Sequence, residues 1–371
     1  MTVRLGYACI NETLNKKGKD GKKSEIVCCN KTCRLATLIS KGEETGLEKK
    51  SKGYSAAIYT FLTDMGLNNL KAMYKILQWS KNNNILFYRI SSDLIPHVSN
   101  NELTNHMTEE DYTNYFNLTF AEEILVDIGK YVQKYGMRLT FHPDHFNQLG
   151  SKNPLVVFNT FKDLMWHARV LDILEVGAEA YINYKKSQDE KYREENVITK
   201  DSTLCVHMGG KYDDKKAAIA RWKSNFQKLP ENVKRRVCIE NCEKSYCADD
   251  ILPICEELKI PMIFDFHHYD CWEHYHKESE EKERNQSSLS YLMPKIFATW
   301  KNSKYGEKTP KFHLSDQAPN KNVGAHDDYV EDIPDILLAY MKEKYISFDI
   351  MIEAKKKELA VIKLKRKYGL L

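Results

Sequence analysis

No apolar stretch of this 371-residue chain approaches the length needed to cross a bilayer, and Met1 to Ile10 hold no apolar segment of the secretory kind. An intracellular protein, cytoplasmic or nuclear, is therefore expected, with its ten cysteines kept as thiols. Paired CxxC spacing is missing as well. Two looser groups, Cys28, Cys29, Cys33 and Cys238, Cys242, Cys247, leave a structural zinc site as a minor reading. Nor is there a strong excess of one charge. Lys and Arg number 56 against 52 Asp and Glu, and a net charge of +4 does not by itself imply nucleic acid. Internal repeats and a clear interdomain linker are also lacking, so a single domain over 1–371 is expected.

Basic charge is concentrated in two places. One is Lys16 to Lys23, inside a loop from Asn15 to Asn30 that also holds Gly18 and Gly21. The other is a basic C-terminal extension over about 355–371, where Lys355, Lys356, Lys357, Lys363, Lys365, Arg366 and Lys367 face one acid, Glu358. Each is read first as a solvated loop or helix face, and second as a holder of phosphates. The stretches Tyr184 to Lys200 and Lys277 to Gln286 are charged and lack an apolar face, so they read as insertions.

What the chain has in quantity is one alternating pattern. Eight short runs rich in Val, Ile, Leu and Phe are followed by helix-period segments. The runs are Val3 to Ile10, Ile85 to Ser91, Arg138 to Phe141, Leu204 to Val206, Val237 to Ile239, Met262 to Phe264, Lys311 to Phe312 and Phe348 to Ile352. Near-continuous apolar runs suit parallel strands buried on both faces. Between them, Leu67, Leu70, Tyr74 and Leu77 recur at helical steps, as do Phe161, Leu164, Ala168 and Leu171, and Ile251, Ile254, Cys255 and Leu258. Eight strand–helix units read as an α/β fold, a (β/α)₈ TIM barrel.

From the second run onward a polar residue stands at the C-terminal end of each run, the end at which such barrels carry their active sites. The resulting set is His142, His207, Glu240, Asp265, His268, His313, His326 and Glu353. Singly, each is an ordinary strand-end polar group. As a set, five imidazoles and three carboxylates suit Mn²⁺, Zn²⁺ or Fe²⁺ better than the oxygen-preferring Mg²⁺ or Ca²⁺. Eight donors exceed the needs of one ion, so two or three are expected, spaced as in multi-metal phosphodiester hydrolysis.

The chain resembles the UV-damage endonuclease family along nearly its whole length. The resemblance is carried by RLGYACIN (Arg4 to Asn11), NKTCRLATL (Asn30 to Leu38), RISSDLIP (Arg89 to Pro96), RLTFHP (Arg138 to Pro143), VHMGG (Val206 to Gly210) and IEN (Ile239 to Asn241). It continues in DFHH (Asp265 to His268), KFHLS (Lys311 to Ser315), GAH (Gly324 to His326) and MIEAK (Met351 to Lys355). It implies a three-metal site like that of endonuclease IV, with manganese as the metal. His142, His207 and Glu240 would hold one ion. Glu240, Asp265, His313 and Glu353 would hold a second. His268 and His326 would hold a third together with Lys311, which in this family can carry a carboxylated amine. His268 is preferred over its neighbour His267 because it follows the aspartate by three residues. Glu240, Lys311 and His207 are expected to carry the chemistry most directly.

The resemblance further implies that Tyr7 and Asn11 lie at a lesion pocket, where a ring stacks on an extruded base and an amide bonds its edge. His145 and Phe146 would enter the gap left in the duplex. The family usually has Gly-Gln-aromatic there, so Asp144 and His145 depart from the pattern while Phe146 keeps the wedge. Asn100, where many relatives have His, is a second departure. The implied activity is nicking on the 5′ side of pyrimidine dimers and 6-4 photoproducts in double-stranded DNA, by a monomer. An abasic-site endonuclease, a metal-dependent sugar isomerase and a non-catalytic lesion binder are the competing readings.

Overall fold

The eight apolar runs are strands, and they close into one barrel. The computed structural model describes residues 3–15, 27–189, 197–212, 214–278, 285–344 and 346–370. The strands are β1 (Val3–Ala8), β2 (Phe87–Ile90), β3 (Arg138–Phe141), β4 (Leu204–His207), β5 (Val237–Glu240), β6 (Met262–Asp265), β7 (Lys311–Leu314) and β8 (Phe348–Ile352). Each pairs in parallel with its sequence neighbours, and β8 returns to β1, giving a closed (β/α)₈ TIM barrel. The runs at β3 and β8 match the strands end for end. At β4, β5 and β6 the strand extends one residue further, so that His207, Glu240 and Asp265 are its last residues.

Period-two alternation divides each strand between two environments. Leu5 and Tyr7 of β1 face the helical layer and join the main core, whereas Ala8 packs inside the barrel with Phe87 and Met351. The barrel interior is polar for a TIM fold. Arg138 and Thr140 on β3, Lys311 and His313 on β7, and Asp349 on β8 are all fully buried.

At the N-terminal end of the barrel this polarity forms a frame. Asp349 accepts from Arg4 Nε at 2.7 Å and Nη2 at 2.8 Å, and from Arg138 Nη1 at 2.7 Å. Arg138 Nε also donates to the carbonyl of Asp201 at 2.9 Å. One carboxylate thus ties β1, β3 and β8 together.

Helices surround the strands. The segments containing Leu67, Phe161 and Ile251 are the helices Lys52–Asn82, Pro154–Gln188 and Ala248–Leu258. Asn153 caps the second of these by accepting from Leu155 N, with Pro154 in the first turn, where its missing N–H leaves no bond unmade. This helix runs through part of the stretch expected as a charged insertion. It crosses the helix Glu122–Lys134 at Gly129 and Gly177, where a Cβ would lie 2.2 Å from the carbonyl oxygen of Leu174 and 2.1 Å from that of Val126. Backbone cannot yield as a side chain can. Gly177→Ala is therefore expected to destabilise by at least about 1–3 kcal/mol, read as a lower urea midpoint with an unchanged slope.

The C-terminal segment corrects one expectation. Beyond a solvated face or extension, it is the helix Lys357–Lys367, which packs onto the core by burying Ala360, Val361 and Leu364. Lys365 Nζ donates to the carbonyl of Asn84 just before β2, at the end of the barrel opposite the active-site face. Lys363 and Lys367 pair with Glu331 and Asp332. Its apolar stripe was hidden among the lysines. The other basic run, Lys16 to Lys23, lies outside the described residues. Among the described residues no helix is long and apolar enough to cross a membrane.

Candidate metal centre

The barrel's C-terminal ends bring the expected donors to one place. His142 Nε2 lies 2.9 Å from Glu240 Oε2, His207 Nε2 lies 3.4 Å from the same oxygen, and the two imidazole nitrogens are 3.2 Å apart. Ligands about 2.0–2.1 Å from a common cation stand roughly 3 Å from one another, so these three atoms are spaced as a ligand set. On the other side of Glu240, His313 Nδ1 is 2.5 Å from Oε1, 3.3 Å from Glu353 Oε1 and 4.0 Å from Asp265 Oδ2. Glu240 faces both groups.

Hydrogen bonds set the imidazole tautomers. A carbonyl oxygen only accepts, so the nitrogen facing it carries the proton. Nδ1 of His142 donates to Pro143 O at 3.2 Å, Nδ1 of His268 to Asn241 O at 2.9 Å, and Nδ1 of His326 to Glu353 O at 2.7 Å. With Nδ1 so engaged, Nε2 is the nitrogen left to face a cation, the arrangement in which metal-binding histidines are held. Several buried polar atoms have no hydrogen-bond partner. At the site these are Glu240 Oε1, Asp265 Oδ2, Lys311 Nζ and both ring nitrogens of His313. Each such orphan costs about 1–3 kcal/mol, and a cation would satisfy the carboxylate oxygens and one nitrogen of His313 together. The residues present fit divalent metal.

Burial and neighbouring charges set the protonation of these groups, and His268 and Asp265 would each have to give up a proton to bind a cation. Burial opposes the charge on Glu240, but the imidazoles packed around it, His313 foremost, outweigh burial and hold the carboxyl well below its usual range. Burial pushes His207 well down and His313 to about 4, leaving neutral lone pairs at pH 7. Burial raises Asp265 to about 7. His268 rises to about 10 against its own burial, chiefly because Asp265, Glu240 and Glu243 surround it.

The family profile described as UV-endonuclease UvdE matches residues 3–370. The chain belongs to the UvdE family. A curated relative from Acanthamoeba polyphaga mimivirus is 33% identical over 367 residues, covering 99% of this chain and 91% of that one. The UV-damage endonuclease of Schizosaccharomyces pombe is 31% identical over 372 residues, with 99% of this chain matched to 51% of it. The UV DNA damage endonuclease of Bacillus mycoides is 31% identical over 304 residues, covering 82% of this chain and 81% of that one. The chain thus spans nearly all of the viral relative and about half the length of the fungal one. The crystal structure of SacUVDE superimposes with a TM-score of 0.69 at 24% identity over 100% of both chains, which speaks for a shared fold.

Within this UvdE barrel the other expected residues fall as follows. Lys311 is fully buried one layer beneath His313, and burial pushes its ammonium pKa down. His326 stands at the side of the mouth, 5.4 Å from the ring of His267, while His268 rather than His267 joins Glu240 and Asp265. His145 is exposed, with its ring 4.6 Å from that of His207 and 6.0 Å from that of His142. Phe146 is 54% exposed and borders an open cleft of about 480 Å³ that also takes in Asp93, Asn100, Asp144 and Trp166. Asn100 Nδ2 donates to His97 Nδ1 at 3.1 Å, and His97 Nε2 donates to Cys33 O, so the shifted histidine is spent on the loop itself.

Tyr7 and Asn11 do not sit where the resemblance placed them. Both are fully buried. Tyr7 accepts from Asn11 Nδ2 at 2.8 Å, and its hydroxyl meets Ser80 Oγ at 2.7 Å. Asn11 Oδ1 accepts from Leu14 N at 2.9 Å. Tyr7 occupies an outward position of β1, so its ring points into the helical layer rather than the barrel mouth, and the pair offers a ligand no surface.

Three residues escaped the sequence reading. Arg89 Nη1 donates to Glu353 Oε1, and Arg89 with His313 overcomes burial to keep Glu353 strongly ionised. Its signal was the inward position at the end of β2. Glu243 lies 3.8 Å from His268 Nε2. Cys205 donates to Glu240 Oε2 at 2.9 Å. Neither cysteine trio forms a metal-capable cluster among the described residues, and the described cysteines are free thiols.

Proposed function

We propose that this protein nicks double-stranded DNA on the 5′ side of ultraviolet photoproducts, with two or three divalent cations held at the barrel mouth. What supports the reading is the gathering of His142, His207, Glu240, Asp265, His268, His313 and Glu353 at one rim of a UvdE-family chain. His142, His207 and Glu240 would hold one cation. Glu240, Asp265, His313 and Glu353 would hold a second. His268 and His326, with Lys311 in a carboxylated form, would hold a third. Manganese is the first expectation, with zinc or iron next. Bound there, such cations would lower the pKa of a water and neutralise charge gathering on the phosphodiester.

The chain's own residues prepare that chemistry. Glu240 is ionised before any cation arrives, and His207 and His313 offer lone pairs with no proton to displace. Arg89 fixes Glu353 against the ring of His313. His145, beside His207 at the exposed edge, lies where a phosphate entering the mouth would meet it. Phe146 offers a ring at the adjoining cleft, and selectivity would arise from the lower cost of unstacking damaged bases. The chain would act as a monomer.

The test is incubation of folded, manganese-loaded protein with a duplex carrying one cyclobutane pyrimidine dimer, beside undamaged and abasic duplexes. A single nick 5′ of the dimer, leaving a 3′-hydroxyl, is expected. An intact dimer strand would defeat the proposal, and preferential abasic cleavage would redirect it to another lesion.

Phe146→Ala is expected to weaken binding to the dimer duplex about ten- to a hundredfold, the range of one lost aromatic–base stack. Binding to undamaged duplex should be unaltered in the same titration, because phosphate contacts carry it.

A further inference from the structure

Strand β4 presents two side chains to the barrel interior, and one of them is His207. Cys205 precedes it by two residues and so shares its face. It is fully buried, and its Sγ stands 2.9 Å from Glu240 Oε2, the oxygen that His142 and His207 also approach. One ligand atom each from His142, Cys205, Glu240 and His313 lies within 4.8 Å of all the others.

A second observation points to a ligand in the same space. Glu240 Oε1 and both ring nitrogens of His313 are fully buried without a hydrogen-bond partner, although Oε1 and Nδ1 lie only 2.5 Å apart. A cation drawn between them would give both the partner that they lack. The thiol is therefore next to an unfilled demand for a cation, on the carboxylate that both groups of donors share.

A sulfur donor changes which cation is favoured. Thiolate selects zinc and similar borderline-soft ions, whereas manganese prefers oxygen donors. We infer that Cys205 Sγ is a ligand to a cation held with His142, Glu240 and His313, and that this one position takes a thiophilic ion such as zinc. The inference rests on the cation-centre reading above. On binding, the sulfur–cation bond forms as the S–H bond breaks, and the proton leaves to solvent. No oxidant or reductant takes part.

The test uses the full-length protein, stripped of metal and loaded with Co²⁺. Thiolate ligation gives an intense near-ultraviolet sulfur-to-cobalt charge-transfer band, while nitrogen and oxygen donors alone give only the weaker visible d–d bands. Both are expected in the wild type. In Cys205→Ser and Cys205→Ala the near-ultraviolet band should vanish with the visible bands retained, which also reports that each variant is folded. Zinc affinity should fall at least about tenfold in both variants, with manganese affinity unchanged. Visible bands without the near-ultraviolet band in the wild type, or a band that survives both substitutions, would overturn the role of Cys205 and leave the centre standing. Failure to bind cobalt at all would overturn the centre itself.

Discussion

Glu240→Gln is expected to reduce nicking of a dimer-containing duplex by on the order of a thousandfold or more, the consequence of losing several kcal/mol of metal-supplied stabilisation. The side chain is almost wholly buried, and its two oxygens face opposite groups, His142 and His207 on one side and His313 on the other. An amide removes the charge and turns an N–H₂ toward nitrogens that have lone pairs to offer. Neither group would then keep its shared acceptor. Affinity for the dimer duplex, measured without cleavage, should change little, because the phosphate-binding and wedge residues are untouched. Retained nicking would show that Glu240 does not anchor the chemistry. A parallel collapse of binding would mean that it supports the architecture of the mouth instead.

The largest stability effect is expected at the other end of the barrel. Asp349→Ala should cost about 3–5 kcal/mol, the penalty for breaking a buried ion pair by removing one partner. Arg138 is 0% exposed and cannot move its charge to water, and Asp349 is its closest anionic partner. The carbonyl of Asp201 would remain, with its carboxylate 3.6 Å away, which offsets only part of the loss. Urea denaturation with an unchanged slope is the measurement. A loss below about 1 kcal/mol, the worth of an exposed pair, would show that the frame does not constrain β1, β3 and β8. Asp349→Asn should fall between, since it keeps a hydrogen-bond acceptor.

Much of this architecture is legible in the chain because two periodicities coincide with chemistry. The apolar runs are short and β-branched, and the residue after each is polar, so the strand ends and the site were read together. His207, Glu240 and Asp265 close β4, β5 and β6 in the way this predicts. What stayed hidden depended on facing. Tyr7 belongs to a quoted motif, but parity along β1 turns it outward, away from the mouth. Cys205 and Arg89 face inward by the same parity, yet a thiol in an apolar run and an arginine before a serine pair carry no outward sign of function. The helix Lys357–Lys367 buries Ala360, Val361 and Leu364 at helical spacing, but seven basic residues in Lys355 to Lys367 masked the stripe. The departures at Asp144 and Asn100 resolve into the cleft beside Phe146, a feature that depends on loops and not on any repeat in the sequence.

The most direct measurement is anomalous X-ray diffraction from crystals grown with manganese and zinc supplied. Density peaks are predicted among His142, His207 and Glu240, and again among Glu240, Asp265, His313 and Glu353. A mouth in which these side chains bond only to one another and to water, with no anomalous peak, would contradict the account.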